Sequence, residues 1–553
     1  MRVCSLFFAA LLLAACGADV DEDAGGFGAS GDDGFGECAS DNDCPADHVC
    51  FRNMAVFQGG DGPRAADAGA LPPEMERTAE PFTRPAAGRD AVWVASPATD
   101  RVVAIDARTL AISVVEVGDE PSEVATRAGT DIAVVLNRGS DELAVVDGPD
   151  AVTFHPLPGH FNALTLSPDG RYAFCWFDLA RAYAGEDASA LQDLAVVDLD
   201  AGTVHAVAVG FRPRRIQFTA AGDVALVITE DGLSIVRPAG LPPSALARTV
   251  PTSADLFATA DREVAVSPDG RWAVSRAQGE PGATIVALNE GLPRFVPLGA
   301  QPTDLDLLPD GRTALVMLRD AERLALVSLE AAIVDPDSVR FVDFPGHILG
   351  SAVVTPGGDL AVLYSTATPE DTTPQIALLD LESQVMVHRP LRKEVAGVSI
   401  DPSGRVAFVL HDKQPGEADP ALDEATFIAR SHGYSLVDLD TTFAKLQTTP
   451  AEPRGLTFTG DAAGEGPHAA FVLFDDPVEG VAELQRIDLA GFEVRRWRLG
   501  SPPEVAGVLP AVSRAFVTQT HPEGRISFVD LAADADRGRL ETVSGYTLNG
   551  RIE

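Results

Sequence analysis

The residues best equipped for chemistry in this chain are oxygen and imidazole donors between positions 411 and 432. His411, Glu417, Asp419, Asp423, Glu424 and His432 share one polar stretch, and carboxylates with imidazole are donors that calcium or a transition-metal ion accepts. Three more stretches carry similar acids: residues 178–193 with Glu186 and Asp187, residues 365–374 with Glu370 and Asp371, and residues 475–483 with Asp475 and Asp476. Together the four hold fifteen acidic residues against three basic ones, Arg181, Lys413 and Arg430. Such a set attracts cations or a basic partner. The plainer reading, which composition favours, is solvated acidic loops in an acidic protein. No cofactor is required, and calcium or another divalent cation is the one the donors would suit.

Signatures of enzymatic chemistry are missing. The sequence has no Gly-x-Ser-x-Gly elbow, no His-Glu-x-x-His, no phosphate loop, no Cys-x-x-Cys-His and no dinucleotide fingerprint. A formal net charge of −40 and a pI near 4.5 set the chain against nucleic acid, which it would repel.

What must position the acidic stretches is a repeat. Ser167-Pro-Asp-Gly-Arg171, Ser267-Pro-Asp-Gly-Arg271, Leu308-Pro-Asp-Gly-Arg312, Thr355-Pro-Gly-Gly-Asp359 and Asp401-Pro-Ser-Gly-Arg405 are one phrase repeated. Proline presets a turn and glycine takes the positive backbone angle that follows. Each phrase runs into a β-prone segment such as Val406-Ala-Phe-Val-Leu410, so each reads as a hairpin. Aligned on this turn, ten units begin near Asp90, Asp131, Arg171, Asp223, Arg271, Arg312, Asp359, Arg405, His468 and Arg514. Most carry a second run ending in aspartate, as at Asp106, Asp198, Asp380 and Asp438. These acids read as turn caps, because an Asp carboxylate bonds backbone two residues on. A third run often closes on Gly-x-x-Pro, as at Gly118 to Pro121 and Gly210 to Pro213.

Recurrence of four short strands predicts an all-β propeller over residues 86–553. Ten units exceed the usual number of blades, and a single ring is favoured over two. Residues 545–552 are expected to complete the first blade and close that ring. In a four-stranded blade successive connections alternate between two faces. By that parity the acidic stretches, all in second connections, and a long link over residues 241–262 gather on the face opposite the Pro-Asp-Gly turns. Loops on a rigid scaffold are where binding resides.

The order of strand, Ser-Pro-Asp-Gly turn, strand, strand ending in Asp and Gly-x-x-Pro corner resembles the YVTN-type β-propeller repeat family of bacterial surface proteins. The resemblance covers about four fifths of the chain and implies the fold while saying little about activity. At the N-terminus, one positive residue, an apolar stretch too short to span a membrane and Leu13-Ala14-Ala15-Cys16 resemble a bacterial lipoprotein signal. That resemblance implies removal of residues 1–15 and lipidation of Cys16. Gly17, rather than Asp, after the cysteine implies an outer-membrane lipoprotein, facing either side.

Residues 16–85 are rich in Gly, Ala, Asp and Pro, a composition too poor in apolar residues to offset the entropy of ordering, so a flexible acidic linker is expected. Within it Cys38, Cys44 and Cys50 are regularly spaced, and an exported chain permits disulfides. Three cysteines cannot all pair with one another, so one stays free or reaches Cys175. A zinc site that adds His48 fits in donor type but not in spacing.

The function expected from sequence is therefore that of a lipid-anchored, extracytoplasmic propeller acting as a non-catalytic binding or scaffold protein. Its partner would be a protein, peptide or glycan on the insertion-bearing face. The alternative is a propeller hydrolase resembling metal-dependent lactonases, which would need ligands converging on the central channel from several blades.

Overall fold

The computed structural model describes residues 82–546 apart from 256–261, 367–373, 461–467 and 532–538, together with residues 48–51 and 54–57. Cys16 and Cys38, Cys44, Glu370 and Asp371 lie outside the described residues, as does the side chain of Cys50. The chain divides into two compact units, residues 3–78 and residues 79–553 with the first two residues. In the smaller unit the described residues form one antiparallel hairpin, His48–Phe51 paired with Met54–Phe57. It falls within the stretch expected to be linker.

The larger unit is a ten-bladed β-propeller. Its ten antiparallel sheets span residues 86–116, 121–156, 163–208, 215–250, 262–297, 304–343, 351–390, 395–449, 453–498 and 503–544. Each blade takes its four strands in chain order. First strands of most successive blades touch one another, and that of blade ten, Pro503–Leu509, touches Ala86–Ala87 of blade one. The first strands thus form the inner ring.

Turn chemistry explains why the repeat folds this way. In blade three the Ser167 hydroxyl donates to Asp169 Oδ1 and accepts from the Tyr172 amide at 2.9 Å, while Gly170 takes φ +69° and donates to the Ser167 carbonyl. Blade five repeats this with Ser267, Asp269, Gly270 and Trp272. The aspartates ending third strands are caps, as their spacing predicts. Asp106 accepts from the amides of Arg108 and Thr109, and Asp380 from those of Glu382 and Ser383. Bonds from the Ser383 amide and hydroxyl hold the Asp380 carboxyl below the usual range.

Second strands such as Tyr172–Trp176 and Ala133–Asn137 are buried along their whole length. Both faces are covered because neighbouring blades stack. Val274 and Ile285 of blade five, for example, pack with Val316 and Ala325 of blade six. Each such valine or isoleucine contributes about 1.5–3 kcal/mol on full burial.

Ring closure differs from expectation. Blade one has its own first strand, the two-residue Ala86–Ala87, and Glu541–Ser544 is the fourth strand of blade ten. Among the described residues no strand is exchanged across the seam, and most of the segment expected to complete the first blade, residues 547–552, lies outside them. Instead Val92, Val94, Val103 and Ile105 of blade one pack with Leu509, Phe516, Ile526 and Phe528 of blade ten. Tyr546 joins that cluster and meets Phe82 edge to face at 5.5 Å. Arg514 donates to the Ala107 carbonyl at 2.6 Å across the same seam.

Elaboration is also less one-sided than the sequence implies. Residues 241–262 are not simply a link between blades. Arg248–Val250 is the fourth strand of blade four, and Ser244–Leu246 adds to blade three as a fifth, parallel strand. Blade six carries a helix, α1 (Leu329–Val334), between its third and fourth strands. Both features sit in third connections, on the face of the Pro-Asp-Gly turns. In blade nine the acidic stretch is mostly strand, since Ala469–Asp476 and Val481–Asp488 leave a four-residue turn.

Candidate functional site

The two described long insertions on the second-connection face are fastened from below by buried charge. In blade three the Glu186 side chain has no exposure and forms an ion pair with Arg138 Nη2. Its other oxygen lies 3.1 Å from His160 Nε2, whose Nδ1 is 2.7 Å from Asp141 Oδ1. Glu186 also accepts from the Tyr183 amide at 3.0 Å, and Arg138 stacks on the Tyr183 ring at 4.2 Å. Asp187 caps a local turn through the Ser189 amide and hydroxyl.

In blade eight the insertion contains α2 (Glu424–Arg430), with Asp423 as N-cap accepting from the Thr426 amide. Lys393, 3% exposed, donates to the carbonyls of Ile428, Ala429 and Ser431 at 2.7, 3.1 and 2.8 Å. An ammonium at a helix C-terminus satisfies the carbonyls that have no partner within the helix and favourably meets the dipole. Burial pushes its pKa down to about 8.

The sequence-predicted donors of blade eight are not brought together. His411 ends a second strand, buried, with Nδ1 2.9 Å from the Glu394 carbonyl and Nε2 2.7 Å from Ser435 Oγ. Burial lowers its pKa to about 4, so it is neutral. Asp419 accepts from the Ala421 amide, Glu424 pairs with Arg392 at 2.8 Å in the open, and Glu417 is exposed. His432 starts a third strand, and burial lowers its pKa too. In blade nine Asp475 lies 3.5 Å from Arg454, while Asp476 caps the turn at Val478 and Glu479. Among the described residues no three acidic, His or Cys side chains form a group able to hold a metal ion. Cys175 is a free, fully buried thiol between blades two and three, and the cysteines of the 38–50 cluster that could have paired with it lie outside the described residues. Burial raises its pKa far above that of an ordinary thiol.

A second constellation, on the inner ring, was not singled out by the sequence reading. Arg215, Glu263 and Asp304 each stand four residues before the turn residues Thr219, Ser267 and Leu308, so they share one row of the ring. The same row reads Ala163, Ser351, Gly397 and Gly455 in blades three, seven, eight and nine. Two residues on, blades four and six add Gln217 and Asp306. Glu263 pairs with Arg276 at 2.5 Å, and Asp304 accepts from the Ala352 amide of blade seven at 2.8 Å. The Asp306 carboxyl makes no hydrogen bond or ion pair among the described residues. Burial, then the neighbouring charges of Asp304 and Glu263, push its pKa up to about 7. Arg215, Gln217, Glu263 and Asp306 border a cavity of about 450 Å³. The signal was present in sequence as charge alternating with apolar residues in Arg215-Ile-Gln217 and Asp304-Leu-Asp306.

No protein-family model matches the sequence, and no curated protein matches it. Solved structures do. The hydrazine synthase of Kuenenia stuttgartiensis is 16% identical over 58% of this chain and 99% of its own, with a TM-score of 0.28. The dihydro-heme d1 dehydrogenase NirN is 14% identical over 66% and 77%, with a TM-score of 0.40. A eukaryotic initiation factor is 11% identical over 76% and 97%, with a TM-score of 0.46. Such distant overlaps carry nothing about function.

Proposed function

We propose that this protein is a lipid-anchored, extracytoplasmic β-propeller of the YVTN-repeat type that binds a basic protein or peptide on its second-connection face without catalysis. The observation that carries the reading is the anchoring of α2 by Lys393, with Glu186 serving the blade-three insertion in the same way. Loops held from beneath lose little freedom on binding, which is how a scaffold presents a recognition surface. The blade-three insertion exposes Leu179 and Tyr183, and that of blade eight exposes Glu417 and Glu424. Apolar contact beside negative charge suits a basic partner with some apolar surface.

Two measurements test this. Cys16→Ser should move the protein from membranes to the soluble envelope fraction, and retention on membranes would count against the anchor. Cross-linking in intact envelopes should yield a partner captured by the native chain and lost with Glu417→Lys plus Glu424→Lys. Capture unchanged by both reversals would remove the acidic face from the reading.

A further inference from the structure

The inner-ring cavity at blades four to six has the makings of a site independent of the second-connection face. It lies against the first strands of three consecutive blades, Arg215–Phe218, Arg262–Val266 and Asp304–Leu307. A volume of about 450 Å³ is in the size range of small-molecule pockets. The neighbouring charges differ in how far they are already used. Glu263 is paired with Arg276, and Asp304 is committed to the edge of blade seven.

Three groups in the lining retain unspent capacity. The Asp306 carboxyl has no bonded partner among the described residues. The Gln217 amide oxygen is buried without a hydrogen bond. Arg215 contributes a single long bond, 3.4 Å to the Val264 carbonyl, which leaves most of its guanidinium donors uncommitted. A buried acceptor left unpaired destabilises the fold, and a ligand that donates to it removes that cost. Phe218, Leu226, Val264 and Leu305 give the lining an apolar side, and Glu263 and Ser267 are its other polar members.

From this arrangement we infer that the cavity binds a small zwitterion, an aliphatic α-amino acid. Its ammonium donates to Asp306 and the Gln217 oxygen, its carboxylate meets Arg215, and its side chain lies on the apolar wall. An ammonium supplies three donors and no acceptor, which matches two acceptors that otherwise have none. A carboxylate is the natural partner of a guanidinium.

The test is calorimetric titration of the full chain with L-leucine, leucinamide and 4-methylpentanoic acid, in the native protein, Asp306→Asn and Arg215→Met. L-leucine should bind the native chain, and each substitution should weaken it about tenfold or more, the loss of one charge-assisted contact. Leucinamide should depend on Asp306 but not on Arg215, and the acid on Arg215 but not on Asp306. Unchanged melting curves for both variants would show that the fold survives. If a variant unfolds, Gln217→Leu replaces it, with the same loss expected for L-leucine. No binding of L-leucine at about 10 mM, weaker than any useful affinity, or equal affinity in all variants, would overturn the inference.

Discussion

Glu186→Gln is the substitution whose cost the structure fixes most sharply. The change preserves shape and removes only charge and one acceptor. The native side chain is wholly buried, and its partners Arg138 and His160 are 13% and 17% exposed. Removing one member of a buried ion pair strands the other, at a cost of about 3–5 kcal/mol. The comparison is Glu424→Gln, whose carboxylate is 77% exposed opposite a 57% exposed Arg392, and an exposed pair is worth about 0–1 kcal/mol. A ten-bladed repeat need not unfold as one unit, so the readout is local. Hydrogen exchange and limited proteolysis across residues 177–192 should accelerate by about a hundredfold or more in Glu186→Gln, since about 1.4 kcal/mol is a factor of ten in an opening equilibrium. Glu424→Gln should leave residues 412–431 within about fivefold of native. Equal small effects from both substitutions would refute the claim that buried charge fastens the insertion.

Lys393 offers a pH-dependent counterpart. Its pKa falls from 10.5 to about 8 on folding, with Asp412 and Glu394 opposing the fall and Lys413 adding to it. Between those pH values the unfolded chain binds more protons, so the lysine's contribution to stability rises with pH. The stability of the native chain relative to Lys393→Met should grow by up to about 3 kcal/mol from pH 7.5 to 10.5, measured by denaturant titration. A flat or falling difference would contradict it. Cys175, buried and held as the neutral thiol, should resist iodoacetamide in the native chain and react only after denaturation, as peptide mapping would reveal. Labelling under native conditions would show that the blade opens there.

The propeller was legible because its turns are local. A Pro-Asp-Gly turn and an aspartate cap are written within five residues, and Ser167, Asp169 and Gly170 do in the structure what their types require. Features decided between blades were not. Arg248–Val250 becomes the outer strand of blade four only because Ser244–Leu246 pairs with another sheet, a choice no window of sequence contains. His411 looked like a ligand among acids, yet strand register carries it inward to Ser435. The inner-ring charges escaped for the opposite reason. Each is an ordinary residue in its own strand, and only placing three blades side by side shows Arg215, Glu263 and Asp304 in one row.

The seam between blades ten and one also bears on how such a chain can change. A ring locked by a shared strand needs both chain ends to complete one blade, so its ends cannot move without leaving a blade short. Here every blade takes its four antiparallel strands from its own segment, and the described ends of the propeller meet as Phe82 against Tyr546. The circle is therefore permutable. Joining those ends and opening the chain between any two other blades leaves ten whole sheets, and duplication of one 40- to 50-residue segment, near the length of the span 163–208, delivers a complete module.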